Sequence, residues 1–183
     1  MYHSGNQMID PEILFEKVQL RPGMHAADLG CGKTGHVVFP GAAILGELGV
    51  MYAVDILKEV LIEIKKRAAI ESLINVQTVW SDLERVDGTK IPARSLDVVF
   101  IINMLFQAKN HLAVLDGALK LLKDKARLLV VDWRKNSLPF APPAEKLINF
   151  DEIKTWARSK GLAVQEEFDM GGYHHGVVLY KQE

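Results

Sequence analysis

Along most of the chain, short apolar runs rich in β-branched residues alternate with longer amphipathic segments. This alternation indicates β-α units that feed a mostly parallel sheet, because each helix-length segment can serve as a crossover between two strands. The run Leu96–Ile102 has the near-continuous apolarity of a strand that is covered on both faces. We therefore predict an α/β fold with helices on both sides of the sheet.

The predicted elements follow from the positions of these runs. Strands are predicted at about 24–29, 50–55, 76–80, 96–102 and 126–132. Helices are predicted from Pro11, with Asp10 as N-cap, to about 18, at about 36–48, from the end of the second strand to about 69, and at about 111–122 and 151–160. Two further strands, 162–168 and 176–180, must be antiparallel, because the turn between them is too short for a crossover helix. We expect five parallel strands plus a hairpin, in a single domain over residues 1–183 with residues 1–8 flexible.

Composition narrows the class of protein. The 22 Lys and Arg residues nearly balance the 23 Asp and Glu residues, which gives no overall electrostatic footprint for nucleic acid. The lone Cys31 rules out an intramolecular disulfide and a multi-cysteine zinc site, so no metal is predicted. The polar N-terminus and the absence of an apolar run of about 18 residues predict a cytoplasmic protein with no membrane segment.

A glycine-rich turn lies where the first strand meets its helix. It contains Gly30, Gly32 and Gly35 in a Gly-x-Gly-x-x-Gly pattern. Glycines there let the backbone turn tightly and let a ligand approach closely, with a helix N-terminus nearby. A tight turn without a ligand is the alternative. Ligand binding is favoured, because three glycines cost conformational entropy and the turn lies at the carboxyl end of a strand.

Three carboxylates lie at or near the ends of neighbouring strands. Asp55 ends the second strand, 20 residues after Gly35, where a carboxylate can accept hydrogen bonds from both hydroxyls of a ribose. An N-cap of the following helix is the alternative role, and both could hold. Asp82 follows the third strand, and Asp28 lies two residues before the first glycine. Together they indicate a nucleotide-like ligand.

These residues resemble the motifs of class I S-adenosylmethionine-dependent methyltransferases. Residues 27–32 resemble the first motif, 52–56 the second, 81–83 the third and 95–100 the fourth. The resemblance runs from about residue 9 to residue 181. A narrower likeness, to ubiquinone/menaquinone biosynthesis methyltransferases, is interrupted at 103–107, where that group often carries a histidine-rich turn. The resemblance implies a Rossmann-like three-layer sandwich with strand order 3-2-1-4-5-7-6 and strand seven antiparallel.

The resemblance also implies S-adenosylmethionine as the cofactor and a role for each matching residue. Gly30, Cys31 and Gly32 would lie beneath its methionine part. Asp28 would receive the ammonium group, and Asn103 would line the methyl end.

The nucleoside end is implied by the second and third motifs. Asp55 would hold the ribose hydroxyls while Ile56 packs on the adenine. Asp82 would accept from the adenine amine, and the Leu83 backbone N–H would meet a ring nitrogen.

Two alternatives remain open at this point. A nicotinamide-dependent oxidoreductase satisfies the same glycine pattern and the same spacing to Asp55. Asp28 favours the methyltransferase, because its charge would face an ammonium group rather than a pyrophosphate. A protein that binds S-adenosylmethionine or its demethylated product without catalysis is the second alternative.

The acceptor side is less defined by sequence. His174 and His175 follow a glycine turn at the ligand end of the sheet, and either is a candidate general base. A structural role is weighed slightly above catalysis: alternation along the chain would send one histidine to solvent and the other into a satisfied polar position. Phe106, Trp133 and Tyr173, together with His174, are candidates for acceptor binding. Trp133 could instead pack beneath the proline-rich loop. Because little chain is left for a specificity domain, we expect a small-molecule acceptor, with RNA or protein acceptors and the oligomeric state left open.

Overall fold

The computed structural model describes residues 8–85, 87–135 and 137–182. Residues 1–7, which belong to the stretch predicted to be flexible, lie outside the described residues. The strands are β1 His25–Leu29, β2 Val50–Asp55, β3 Val76–Trp80, β4 Leu96–Ile102, β5 Leu122–Trp133, β6 Leu162–Met170 and β7 His174–Lys181. The longer helices are α1 Pro11–Lys17, α2 Val38–Leu45, α3 Lys58–Ile70, α4 His111–Leu121 and α5 Phe150–Ser159.

Within these ranges the strands form one seven-stranded sheet in the order β3-β2-β1-β4-β5-β7-β6. Pairs from β3 to β5 are parallel, and β7 is antiparallel to both β5 and β6. The predicted fold class and strand order are confirmed. The carboxyl ends of β1, β2, β4 and β5 therefore meet at one edge of the sheet, beside the N-terminal end of β7.

Two apolar layers cover the faces of the sheet. Val98 and Phe100 of β4 pack with α1, α2 and α3, whereas Val99 and Ile101 of the same strand pack with α4 and α5. This division follows from the alternation of side chains along a strand. A strand buried on both faces has to be apolar throughout, which explains the continuous run that identified β4. Among the described helices, none is both long and apolar enough to cross a membrane.

Several element boundaries differ from the predicted ones. Helix α2 is shorter at both ends, and Pro40 lies in its first turn, where proline is tolerated. Strand β5 begins at Leu122 rather than Ala126, because α4 runs directly into it through an irregular stretch with Lys125 at φ 62°. The hairpin strands are also longer than predicted, so that Met170 pairs directly with His174.

Candidate functional site

The glycine turn folds back onto the end of β2. The backbone N–H groups of Gly30 and Cys31 both donate to the carbonyl oxygen of Val54, at 2.8 and 3.0 Å. Cys31 is buried beneath the turn, and burial raises the pKa of its thiol well above the usual range. This thiol is therefore protonated at neutral pH and poorly nucleophilic.

The three glycines of the turn have different surroundings. A Cβ on Gly35 would lie 2.5 Å from Phe39 and 2.7 Å from Ile64, so this glycine allows α2 and α3 to pack closely. A Cβ on Gly30 would lie 2.6 Å from Cγ of Met104. A Cβ on Gly32 would have nothing within 4 Å, although its φ of 61° favours glycine. Gly32 thus leaves bare backbone open to a ligand.

Asp55 is fixed by two backbone hydrogen bonds. Its Oδ2 accepts from the N–H of Gly32 at 3.1 Å, and its Oδ1 accepts from the N–H of Leu57 at 2.9 Å. Leu57 is itself the N-cap of α3, so Asp55 does not occupy that position. Each carboxylate oxygen has a further lone pair. Asp55 can therefore accept hydrogen bonds from a ligand without giving up the contacts that hold the turn.

Asp28 is a second buried carboxylate at this edge, only 4% exposed. Burial, with a smaller contribution from the charge of Asp55, raises the pKa of Asp28 from 3.8 to about 7. An ionised Asp28 is consequently costly in the free protein. A cation bound beside it would offset that cost and return its pKa toward the ordinary value.

An apolar surface lies beyond Asp55. Ile56 is 53% exposed, and the indole Nε1 of Trp80 donates to its carbonyl oxygen at 2.8 Å, which fixes the backbone. Asp82 and Leu83 follow β3 and are half-buried. One oxygen of Asp82 accepts from the N–H of Glu84 at 3.2 Å. These residues can offer an apolar platform beside a hydrogen-bonding edge.

The loop after β4 forms another wall. Asn103 is 2% exposed, has φ 50°, and its backbone N–H donates to the carbonyl oxygen of Val131 at 2.9 Å. A short 3₁₀ turn, Leu105–Gln107, follows it. Met104, which sequence reasoning did not single out, lies against Gly30. No local pattern could have identified that contact, since it joins the ends of two different strands.

Trp133 and His174 pack together at the ends of β5 and β7. Their ring centroids are 4.3 Å apart. The ring of Phe140 also packs edge-on against Trp133, with centroids 6.1 Å apart. His174 is fully buried, and burial lowers the pKa of its imidazole to about 4. Within the described residues neither of its ring nitrogens has a hydrogen-bond partner. His174 is therefore neutral near pH 7 and a weak base.

His175 faces the other side of the sheet. Its Nδ1 lies 2.8 Å from Asp169, and its ring packs edge-on against Phe150 at 4.7 Å. Neighbouring Tyr173 and the candidate Phe106 are half-buried. The structure thus separates the two histidines that the sequence left equivalent. No cluster of three or more His, Cys, Asp or Glu side chains able to hold a metal occurs among the described residues.

Comparison with known proteins gives the family. The sequence profile of a family described as "Methyltransferase domain" matches residues 20–171. The chain belongs to this family. The matched range contains the glycine turn, the three carboxylates and the loop after β4, so the resemblance to class I S-adenosylmethionine-dependent methyltransferases is confirmed.

Individual relatives are distant. The chain is 28% identical to the aklanonic acid methyltransferase DauC of Streptomyces sp. (strain C5) over 123 aligned residues. The aligned region covers 66% of this chain and 54% of DauC. It thus spans about half the length of this curated relative. A SAM-dependent methyltransferase from Aquifex aeolicus superposes with a TM-score of 0.83 at 24% identity, covering 97% of this chain and 92% of that one.

The fold is shared with a protein that is not named a methyltransferase. The [4+2]-cyclase SpnF superposes with a TM-score of 0.78 at 12% identity, covering 97% of this chain and 81% of that one. At such identity the likeness shows the fold alone. The function of a methyltransferase domain therefore has to be argued from its site.

Proposed function

We propose that the protein transfers a methyl group from S-adenosylmethionine to a small-molecule acceptor by in-line displacement. The observation that carries this proposal is the buried Asp28 beside the open backbone of Gly32, with Asp55 bonded to the same glycine. The residues fit a cofactor that joins a cationic amino acid to a nucleoside. The protein's family membership and the names of its methyltransferase relatives support S-adenosylmethionine as this cofactor.

The amino-acid end of the cofactor would lie over the glycine turn. Asp28 would pair with the ammonium group, which relieves the cost of an ionised carboxylate in a buried place. Gly30, Cys31 and Gly32 would form the floor, with Gly32 offering backbone that no side chain covers. Asn103 would border the methyl end, since its loop lies against the same turn.

The nucleoside end would extend toward β2 and β3. Asp55 keeps unused lone pairs for the ribose hydroxyls. The exposed side chain of Ile56 would be covered by the adenine, which removes apolar surface from water. Asp82 and the N–H of Leu83 would meet the polar edge of the base.

A nicotinamide dinucleotide fits this site less well. Its pyrophosphate would lie at the glycine turn, beside a carboxylate that is already difficult to ionise. A phosphate charge there would repel the ionised carboxylate and keep Asp28 protonated, whereas an ammonium group would attract the ionised form. The same geometry that disfavours the pyrophosphate favours an ammonium group. We therefore place the oxidoreductase second.

The acceptor would bind over the ends of β4, β5 and β7. Phe106, Trp133, Tyr173 and His174 are the proposed contacts. His174 has ring nitrogens free of protein partners that can hydrogen-bond to an acceptor, but its pKa of about 4 makes it a weak base, so we propose it as an acceptor contact rather than as the general base. His175 is engaged with Asp169, whose carboxylate would stabilise a protonated imidazole. The name of DauC, an aklanonic acid methyltransferase, supports a small-molecule acceptor. RNA and protein acceptors are the alternatives. We also propose that the protein is located in the cytoplasm.

A non-catalytic cofactor-binding protein is the other candidate. The fold does not separate it from a methyltransferase, since SpnF, named a [4+2]-cyclase, shares this fold. Turnover separates the two. We expect release of S-adenosylhomocysteine when the protein is incubated with S-adenosylmethionine and a panel of small hydroxyl, amine and thiol acceptors, and no release from Asp28→Asn. Tight cofactor binding with no turnover on any acceptor would favour the non-catalytic protein.

A further inference from the structure

The proposed mechanism leaves one buried carboxylate unused. Asp132, near the end of β5, is completely buried. Its Oδ1 accepts from the N–H of Trp133 at 2.8 Å, and its Oδ2 accepts from the N–H of Phe106 at 3.3 Å. Burial raises the pKa of Asp132 to about 7, whereas the backbone N–H groups around it, including those of Leu105 and Met104, lower it. A charge so costly to bury needs an explanation.

The 3₁₀ turn Leu105–Gln107 supplies part of that explanation. Its N-cap is Met104, whose side chain makes no capping hydrogen bond, so the first N–H groups of the turn need another acceptor. Asp132 provides it from the neighbouring strand. A carboxylate that accepts several backbone N–H groups makes strong hydrogen bonds and so fixes their positions. The end of β5 therefore determines where the loop after β4 lies.

The loop in turn touches the glycine turn. Asn103, which precedes it, is held at φ 50° and is bonded to Val131 of β5, so both ends of Met104 are constrained from the same strand. Met104 lies against Gly30, where even a methyl group on the glycine would approach Cγ to 2.6 Å. A continuous series of contacts thus leads from the carboxylate of Asp132 to the turn beneath the proposed cofactor.

We propose that Asp132 is a positioning residue, which acts through the backbone of 104–106 to hold Met104 against Gly30 and so shapes the amino-acid end of the cofactor site. This inference rests on the proposed function. Asp132 would touch neither cofactor nor acceptor. The alternative is that it stabilises the 3₁₀ turn without consequence for binding.

Two ligands distinguish these roles. S-adenosylhomocysteine carries the amino-acid part of the cofactor, whereas 5′-methylthioadenosine lacks it. For Asp132→Asn we expect calorimetric affinity for S-adenosylhomocysteine to fall about tenfold, within the effect of losing a hydrogen bond to a charged group. Affinity for 5′-methylthioadenosine should stay unchanged. Asp116→Asn, on α4, is the control: its carboxylate also accepts from a protein N–H, Nε1 of Trp156 at 3.0 Å, and pairs with Lys160, but it is half-exposed. It should alter neither affinity.

Hydrogen exchange gives a direct readout of the loop. In Asp132→Asn the amides of 104–107 should exchange faster than in the wild type, while those of Asp116→Asn should not. Met104→Ala, at a half-buried position, tests the same contacts if the first variant does not fold, and should also weaken S-adenosylhomocysteine selectively.

Unchanged S-adenosylhomocysteine affinity in a folded Asp132→Asn, or in Met104→Ala, would overturn the inference. Equal losses for both ligands would overturn it as well. These outcomes differ from failure of the proposed function, in which the wild-type protein would bind neither ligand.

Discussion

The buried carboxylate of Asp28 lowers the stability of the fold when it is ionised, and Asp28→Asn measures by how much. A rise in pKa from 3.8 to about 7 corresponds to about 4 kcal/mol, at 1.36 kcal/mol for each pH unit. Because the folded protein binds this proton more tightly than the unfolded chain, its contribution is fully present below pH 3.8 and is lost as pH rises toward 7. An uncharged amide of the same shape avoids that loss.

We therefore expect Asp28→Asn to unfold at higher urea than the wild type at pH 8. The gain in free energy of unfolding should be about 1–3 kcal/mol, less than the full cost because the amide has hydrogen-bonding needs of its own. Near pH 4 the two proteins should be almost equally stable. Urea titrations followed by tryptophan fluorescence at both pH values give the comparison.

A matched control comes from another strand carboxylate. Asp97 accepts from the N–H of His25 at 2.8 Å and pairs with Lys123, so its charge is stabilised by the fold. Asp97→Asn should therefore lower stability at pH 8. If Asp28→Asn were also destabilised at pH 8, the reasoning about a costly buried charge would be refuted.

Two further predictions concern the same turn. Gly35→Ala should lower the free energy of unfolding by about 1–3 kcal/mol through overpacking against Phe39. Gly32→Ala should lower the free energy of unfolding less but weaken cofactor binding more. Urea titration and calorimetry of both variants test this, and a larger binding loss in Gly35→Ala than in Gly32→Ala would contradict the assigned roles. The affinity for S-adenosylmethionine should rise about fivefold from pH 6 to pH 7 as Asp28 ionises, and should level off above that because α-amino groups lose their proton near pH 7.7–8.0. A pH-independent affinity between pH 6 and pH 7 in the wild type would argue against its pairing with the ammonium group.

Local sequence pattern predicted the bounds of β2, β3 and β4 best. Strands β2 and β4 lie inside the sheet and must be apolar to be covered, whereas β3 lies at its edge and is half-exposed. The start of β5 was wrong, since Leu122 pairs with Leu96 across an irregular step that no pattern in the run 126–132 reveals. Pairing between strands, rather than propensity, sets such boundaries.

Some residues of the candidate site could be predicted from the sequence, and others could not. Asp28, Asp55 and the glycines could be found in the sequence because each lies at a strand end, where a parallel sheet collects its ligand-binding residues. The roles of Met104 and Asp132 could not be found, because they depend on how loops from different strands pack. Alternation in β7 predicted that the two histidines would face opposite sides, but only packing shows that His174 is the buried one.

Calorimetric titration of the wild type and Asp55→Ala with S-adenosylmethionine, S-adenosylhomocysteine and NAD tests the central claim most directly. We expect the wild type to bind the first two ligands and not NAD. Asp55→Ala should weaken both by about 1–3 kcal/mol, the range for hydrogen bonds to a charged group. Binding of NAD alone, or an affinity for S-adenosylmethionine that Asp55→Ala leaves unchanged, would contradict the account.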